Sequence, residues 1–211
     1  GGLYVLPNDL NILHVCSGDN KDAILKGVCT LITSAIDRNI PSGSSHSERV
    51  AVLSASIAEE LRLSPEEVNR IYLAGLLHDF GKLFLPSNIL VKTEPLTDDD
   101  WSFIELHPQL AATFLERVPP LANIAKDVLH HHERIDGRGY PRQLSGEDIP
   151  LGSRIIAVAG AFDSMTSCNS YRKNIRQEAA CDILKKDSGT QFDGGIVQAL
   201  LAVLRRKKNT K

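Results

Sequence analysis

Apolar residues recur at helical spacing along most of the chain. Ile24, Val28, Leu31, Ile32 and Ile36 do so over residues 22–38, and Val50, Leu53, Ile57 and Leu61 over residues 45–62. A loop rich in Ser, with Pro41 and Gly43, separates the two segments. Ser64, followed by Pro65 and Glu67, has the form of a capping box with proline in the first turn. It predicts a helix that runs to His78-Asp79 and stops at Gly81. Thr97 predicts another helix start, with Asp98, Asp99 and Asp100 at the positive end of its dipole. Pro108 predicts a break just after His107. Further helices are expected over residues 121–132, 151–166, 175–186 and 194–205. The Gly and Pro content of residues 136–141 predicts a loop, and a short hairpin is an option near residues 144–149. No alternating run is strong enough for a sheet, and no internal repeat is visible. The expected fold class is all-α.

Composition narrows the function classes. The chain has 211 residues, with 24 Lys+Arg against 26 Asp+Glu and a formal charge of -2, so a strong basic field for duplex nucleic acid is excluded. With 42% hydrophobic and 24% charged residues it is an ordinary globular protein. No apolar run approaches the roughly 18–20 residues of a membrane helix, and no basic-then-apolar leader is visible. The expected setting is cytoplasmic. The chain opens on Gly1-Gly2 without Met, which reads as a fragment that lacks upstream domains. Cys16, Cys29, Cys168 and Cys181 are widely spaced and read as reduced thiols. The basic tail from Arg205 is expected to fray.

The chemistry is carried by histidines. His46 opens one helix, His78-Asp79 closes the next, His107 precedes a proline, and His130, His131 and His132 end a fourth helix before Glu133. Imidazole and carboxylate are ligands for first-row divalent metals, and one carboxylate can bridge two ions. Consecutive histidines do not share a helix face, but at a helix end two neighbours can turn toward one site. Each feature alone also fits a satisfied core histidine or a solvated cluster. The order of the set is what gives it weight.

That order resembles the HD-GYP family, a subgroup of the HD metal-dependent phosphohydrolases. The resemblance rests on HSERV at 46–50, LLHDFGK at 76–82, His107-Pro108, HHERIDGRGYP at 131–141 and GTQFD at 189–193. It implies an HD-type helical bundle with a central metal site, over residues 39–211, preceded by an N-terminal extension and linker or first helix at 1–38. It also implies hydrolysis of cyclic di-GMP to linear pGpG or GMP. Carried over, His46, His78 and Asp79 hold one divalent metal. Asp79 bridges to a second, held by His107, His131 and His132, while His130 has no metal role. Lys82 joins Asp79 as a catalytic residue and faces the scissile phosphate. Alternatively it is only a cation at a helix C-terminus. Arg172 and Lys173 resemble phosphate-contacting residues, and Gly139, Tyr140 and Pro141 lie beside the substrate or serve only to form and anchor a turn. The ligand set accommodates Fe, Mn, Ni or Zn, and the resemblance points to two ions of Fe or Mn. GGDEF-domain proteins are implied partners through the GYP loop. The helix at 22–38 is a linker, a homodimer element or the first helix of the bundle.

Three positions qualify the resemblance. Gly160 stands where the family reads a metal-ligand Asp, and Asp163, one turn further on, is a poor substitute. Asn169 stands where an arginine is expected, and Ser42 where three-metal relatives carry Glu. At most two metals are therefore expected. The leading expectation is a cyclic di-GMP phosphodiesterase, which the loss at Gly160 weakens. The alternatives are a degenerate receptor or interaction domain that binds without cleaving, and a broader nucleotide phosphohydrolase.

Overall fold

A computed structural model describes residues 21–39, 45–92, 94–167 and 174–209. Ten α-helices and three 3-10 turns make up the regular structure of these residues, with no strand among them. The all-α expectation therefore holds. The helices are α1 (Lys21–Asn39), α2 (His46–Glu60), α3 (Pro65–Leu77), α4 (Ser87–Leu90), α5 (Asp98–Ile104), α6 (His107–Leu115), α7 (Ala125–Leu129), α8 (Leu151–Thr166), α9 (Gln177–Lys186) and α10 (Gly194–Asn209). The 3-10 turns are Phe80–Phe84, Pro119–Ile124 and Gly146–Asp148.

The predicted starts form for the predicted reasons. Ser64 accepts from the Glu67 N–H while Glu67 reaches back to Ser64, with Pro65 in the first turn. Thr97 and Asp100 make the same reciprocal pair at α5, and Lys92 adds an ion pair to Asp100. Pro108 restarts the chain as α6 with His107 at its head.

A core of α2, α3, α8 and α10 buries Val50, Ile57, Ile71, Leu76, Ile155 and Leu200. At roughly 25 cal/mol per Å² of apolar surface, such side chains are worth about 1.5–3 kcal/mol each. They fix where the ends of α2 and α3 lie, and those ends carry His46 and His78. α1 packs on α2 and α3 through Cys29, Thr33 and Ile36. Leu25 also packs against the core, while Ile24, Val28, Leu31 and Ile32 stay exposed.

Four expectations are corrected. Residues 119–132 are a 3-10 turn followed by the short α7, which stops at Leu129 where His130 leaves helical geometry; the histidine triplet therefore follows the helix instead of ending it. α3 stops at Leu77, before His78, and a 3-10 turn follows. No hairpin forms near residues 144–149. The Leu144 N–H donates to Glu133 and the Gly146 N–H to the Ile135 carbonyl, with Gly146 at φ 54, so no cross-strand ladder is available. The basic tail does not fray at Arg205, since α10 continues to Asn209.

Candidate metal centre

Four helix ends and one turn deliver the predicted ligands to a common point. His46 begins α2, where the Asp37 carboxylate of α1 accepts from the Ser47 N–H at 2.9 Å and the Ser47 hydroxyl at 2.8 Å. Ser45 makes no side-chain cap there, so α1 supplies one from outside the helix. His78 and Asp79 follow α3. The turn after them lies against the head of α6 only because residue 81 is glycine: a Cβ there would come within 1.9 Å of the His107 carbonyl oxygen. His131 and His132 follow α7, where the chain has left helical geometry and both rings turn inward, 4.1 Å between centroids.

Two donor groups result. His46, His78 and Asp79 each bring a ligand atom within 4.8 Å of the others, and so do Asp79, His107, His131 and His132. Asp79 belongs to both. Its Oδ2 lies 3.4 Å from His78 Nε2 and 3.8 Å from His46 Nε2, and its Oδ1 lies 3.4 Å from His107 Nε2.

The tautomers follow from the outer hydrogen bonds. Carbonyl oxygens only accept, so His78 Nδ1–H donates to Gly75 (2.8 Å), His107 Nδ1–H to Ile104 (2.6 Å) and His131 Nδ1–H to Val128 (2.6 Å). In a neutral ring that leaves Nε2 as a lone pair facing the centre. His107 Nε2 and His131 Nε2 are then two acceptors 3.4 Å apart, an arrangement that a cation between them relieves. Burial pushes His131 and His132 well below the ordinary imidazole range and His107 to about 4, so all three are neutral near pH 7. Burial opposes charge on Asp79, but a proton on His78, whose own pKa Asp79 raises against burial, and Lys82 outweigh it and hold the carboxyl well below its usual range; a cation at His78 Nε2 would take that proton's place. This set of buried imidazoles around one carboxylate fits first-row divalent cations.

A sequence profile of the HD domain family matches residues 30–196. The chain belongs to that family. Its HDFGK and HHERIDGRGYP motifs assign this HD domain to the HD-GYP type. A cyclic di-GMP phosphodiesterase response regulator of Xanthomonas campestris pv. campestris is 38% identical over 172 residues, covering 81% of this chain and 46% of the relative. A 3'3'-cGAMP-specific phosphodiesterase of Vibrio cholerae is 35% identical over 185 residues, covering 87% of this chain and 40% of the relative. The solved structure of a cyclic GMP-AMP specific phosphodiesterase of V. cholerae superposes with a TM-score of 0.67 at 21% identity, over 87% of this chain and 49% of that one. The chain thus spans less than half the length of these relatives.

A cavity of about 250 Å³ opens onto the candidate ligands, lined by His46, His78, Asp79, Lys82, His131 and His132 on one side and by Ala157, Gly160, Ala161 and Ser164 of α8 on the other. Lys82 Nζ lies 2.7 Å from Asp79 Oδ2. The GYP loop is on the far side of His132. Tyr140 stacks on that ring at 4.7 Å, and Gly139 packs so closely that a Cβ would come within 2.5 Å of the His132 carbonyl oxygen. Pro141 follows, and neither it, Gly139 nor Tyr140 lines the cavity. Arg172, Lys173, Asn169 and Ser42 lie outside the described residues.

Three supporting residues escaped the sequence reading. Asp163, a poor candidate ligand, instead accepts from His46 Nδ1 at 2.7 Å and from Arg49 through both oxygens, at 2.6 and 2.9 Å. It fixes the His46 tautomer, so that Nε2 faces Asp79. Glu133, fully buried, accepts from the Arg142 and Leu144 N–H groups at 2.7 and 3.1 Å and pairs with His130 at 3.4 Å. Asp37 caps α2. Only the capping role has a local sequence signature, and Asp37 lacks it because it acts across a helix boundary.

Proposed function

We propose that this HD domain is a metal-dependent phosphodiesterase that hydrolyses cyclic di-GMP to linear pGpG or GMP. The observation that supports it best is the sharing of Asp79, whose two oxygens face separate imidazole sets. We assign His46, His78 and Asp79 to one divalent cation, and Asp79, His107, His131 and His132 to a second. Fe or Mn is favoured over Ni or Zn by the family resemblance. When bound, such cations supply the Lewis acidity that activates water and neutralises phosphoryl charge.

The chain's own groups do the rest. The Nδ1–H bonds of His46, His78, His107 and His131 hold the rings in place, so no reorganisation is needed on binding. Lys82 is the ammonium nearest Asp79, and we assign it, with Asp79, the catalytic role of meeting charge on a phosphoryl oxygen. The cavity's 250 Å³ is smaller than the roughly 300–1,000 Å³ of a pocket that engulfs a drug-sized ligand. We assign it one phosphodiester linkage of the substrate. Arg172 and Lys173 are assigned to contacts with the phosphates, and Gly139, Tyr140 and Pro141 to the substrate border beyond His132. GGDEF-domain partners at the GYP loop, a homodimer and a bacterial cytoplasmic setting belong to the same proposal. So does the division into an extension at 1–38 and an HD-GYP unit at 39–211.

The test is incubation of cyclic di-GMP with the chain and Mn(II) or Fe(II), with products resolved by chromatography. Turnover that disappears in His78→Ala is expected. The relatives' names divide between two cyclic dinucleotides, so 3'3'-cGAMP is run in parallel. The second reading, binding without cleavage, is favoured by Gly160. It replaces the first if wild type is inert and Gly160→Asp gains activity.

A further inference from the structure

The two donor groups are unequal. Asp79, His107, His131 and His132 offer four donors, and His46, His78 and Asp79 offer three. The wall of α8 that lines the cavity, and that meets the three-donor group through the Asp163–His46 hydrogen bond, presents Ala157, Gly160, Ala161 and Ser164, with neither carboxylate nor imidazole. At Gly160 even a Cβ would meet no atom within 4 Å, so the space beside these ligands is open. Charge is short as well. Imidazoles ligate as neutral rings, so among the described residues Asp79 supplies the only negative charge to both groups. The α8 carboxylate Asp163 is already engaged, by His46 Nδ1 on one side and by Arg49 on the other. Lys82 adds a further positive charge at the cavity.

We propose that the cation at His46, His78 and Asp79 binds in concert with the phosphodiester anion, whose oxygen supplies the donor and the charge that α8 lacks at Gly160. The four-donor group loads on its own. Nucleotide therefore tightens the second cation, and the second cation tightens nucleotide by the same factor, as linkage requires. This rests on the metal-centre reading above and adds that occupancy of one site is ligand-gated.

The experiment titrates Mn(II) into the whole metal-free chain, by calorimetry and by the electron paramagnetic resonance of free Mn(II), with and without a phosphorothioate analogue of cyclic di-GMP that resists cleavage. One equivalent is expected to bind tightly in both cases. The second should tighten by about tenfold or more with the analogue present. Gly160→Asp should tighten the second equivalent without the analogue and shrink the analogue's effect toward nothing. Two equally tight equivalents in wild type, or a second equivalent indifferent to the analogue, overturn the proposal and leave the metal centre standing. A Gly160→Asp chain, folded by circular dichroism, with unchanged second-site affinity overturns it too. If wild type binds no tight equivalent at all, the metal-centre reading itself fails.

Discussion

Adding one methyl group at Gly81 should damage the metal centre more than the fold. A Cβ at this position would sit 1.9 Å from the His107 carbonyl oxygen, 2.7 Å from its carbon and 2.9 Å from the Ala111 nitrogen. All three atoms are backbone of α6, so no side chain can rotate out of the way. To recover an ordinary contact of 3.4 Å, the Phe80–Phe84 turn and α6 must part by about 1.5 Å. Overpacking of this kind costs about 1–3 kcal/mol. Against a typical domain stability of about 5–15 kcal/mol, the chain stays folded. The metal centre has less slack. Asp79 lies two residues before Gly81, and its Oδ1 is 3.4 Å from His107 Nε2 across this same contact. A shift of about 1 Å between reacting groups costs on the order of 100-fold in rate. Gly81→Ala should therefore lose about 1–3 kcal/mol in urea unfolding and about 100-fold or more in hydrolysis, with weakened Mn(II) binding. Gly160→Ala is the contrasting control for stability. Its Cβ meets nothing within 4 Å, and a helical Gly→Ala change should stabilise by about 0.5–1 kcal/mol. A Gly81→Ala chain within about 0.5 kcal/mol of wild type and with unchanged Mn(II) affinity would show that the close approach does not set the Asp79–His107 geometry.

Other expectations concern the supporting groups. Glu133→Ala leaves the Arg142 and Leu144 N–H groups without their acceptor, at about 1–3 kcal/mol each less what water restores to these part-exposed positions. Hydrogen exchange at those two amides should accelerate ahead of exchange in the α2 and α3 core; equal protection in both forms would contradict this. Asp163→Asn removes the charge that Arg49 and His46 share and should cost about 1–3 kcal/mol, less whatever the half-exposed Arg49 regains from water. Its Mn(II) affinity should fall because the His46 tautomer is no longer fixed. Unchanged affinity would mean that His46 needs no such support. The Lys92 ammonium and the Thr97 groups hold Asp100 down at about 2 from 3.8. A carboxyl lowered in the folded state stabilises above its unfolded pKa and stops doing so as pH falls through the folded one. The Tm gap between wild type and Asp100→Asn should be full above about pH 4 and close toward pH 2. A gap independent of pH would rule out the ionised cap.

The candidate ligands were legible because they stand in a fixed order with specific neighbours, and helix starts were legible because caps are local. Ser64-Pro65-Glu67 and Thr97-Asp100 each complete a hydrogen-bonded pair within four residues, so short-range spacing suffices to predict them. The end of α7 was less readable, since the segment opens as a 3-10 turn and the helix stops at Leu129 with no glycine or proline just after it to mark the stop. On α1 the periodic pattern named Ile24, Val28 and Leu31 alongside Ile36, yet only Ile36 is buried. Periodicity reports a face and cannot say which part of it meets a neighbour.

The sequence by itself determined the helical class, the ligand types and the absence of a carboxylate at residue 160. Those depend on residue identity and on spacing along one element. Tertiary structure alone decided that Asp79 is shared, that Asp163 holds His46 instead of a metal, that Asp37 caps a helix other than its own, and that Tyr140 braces His132. Each of these joins residues from different elements, and their distance is fixed by how the helices pack, which no local pattern encodes.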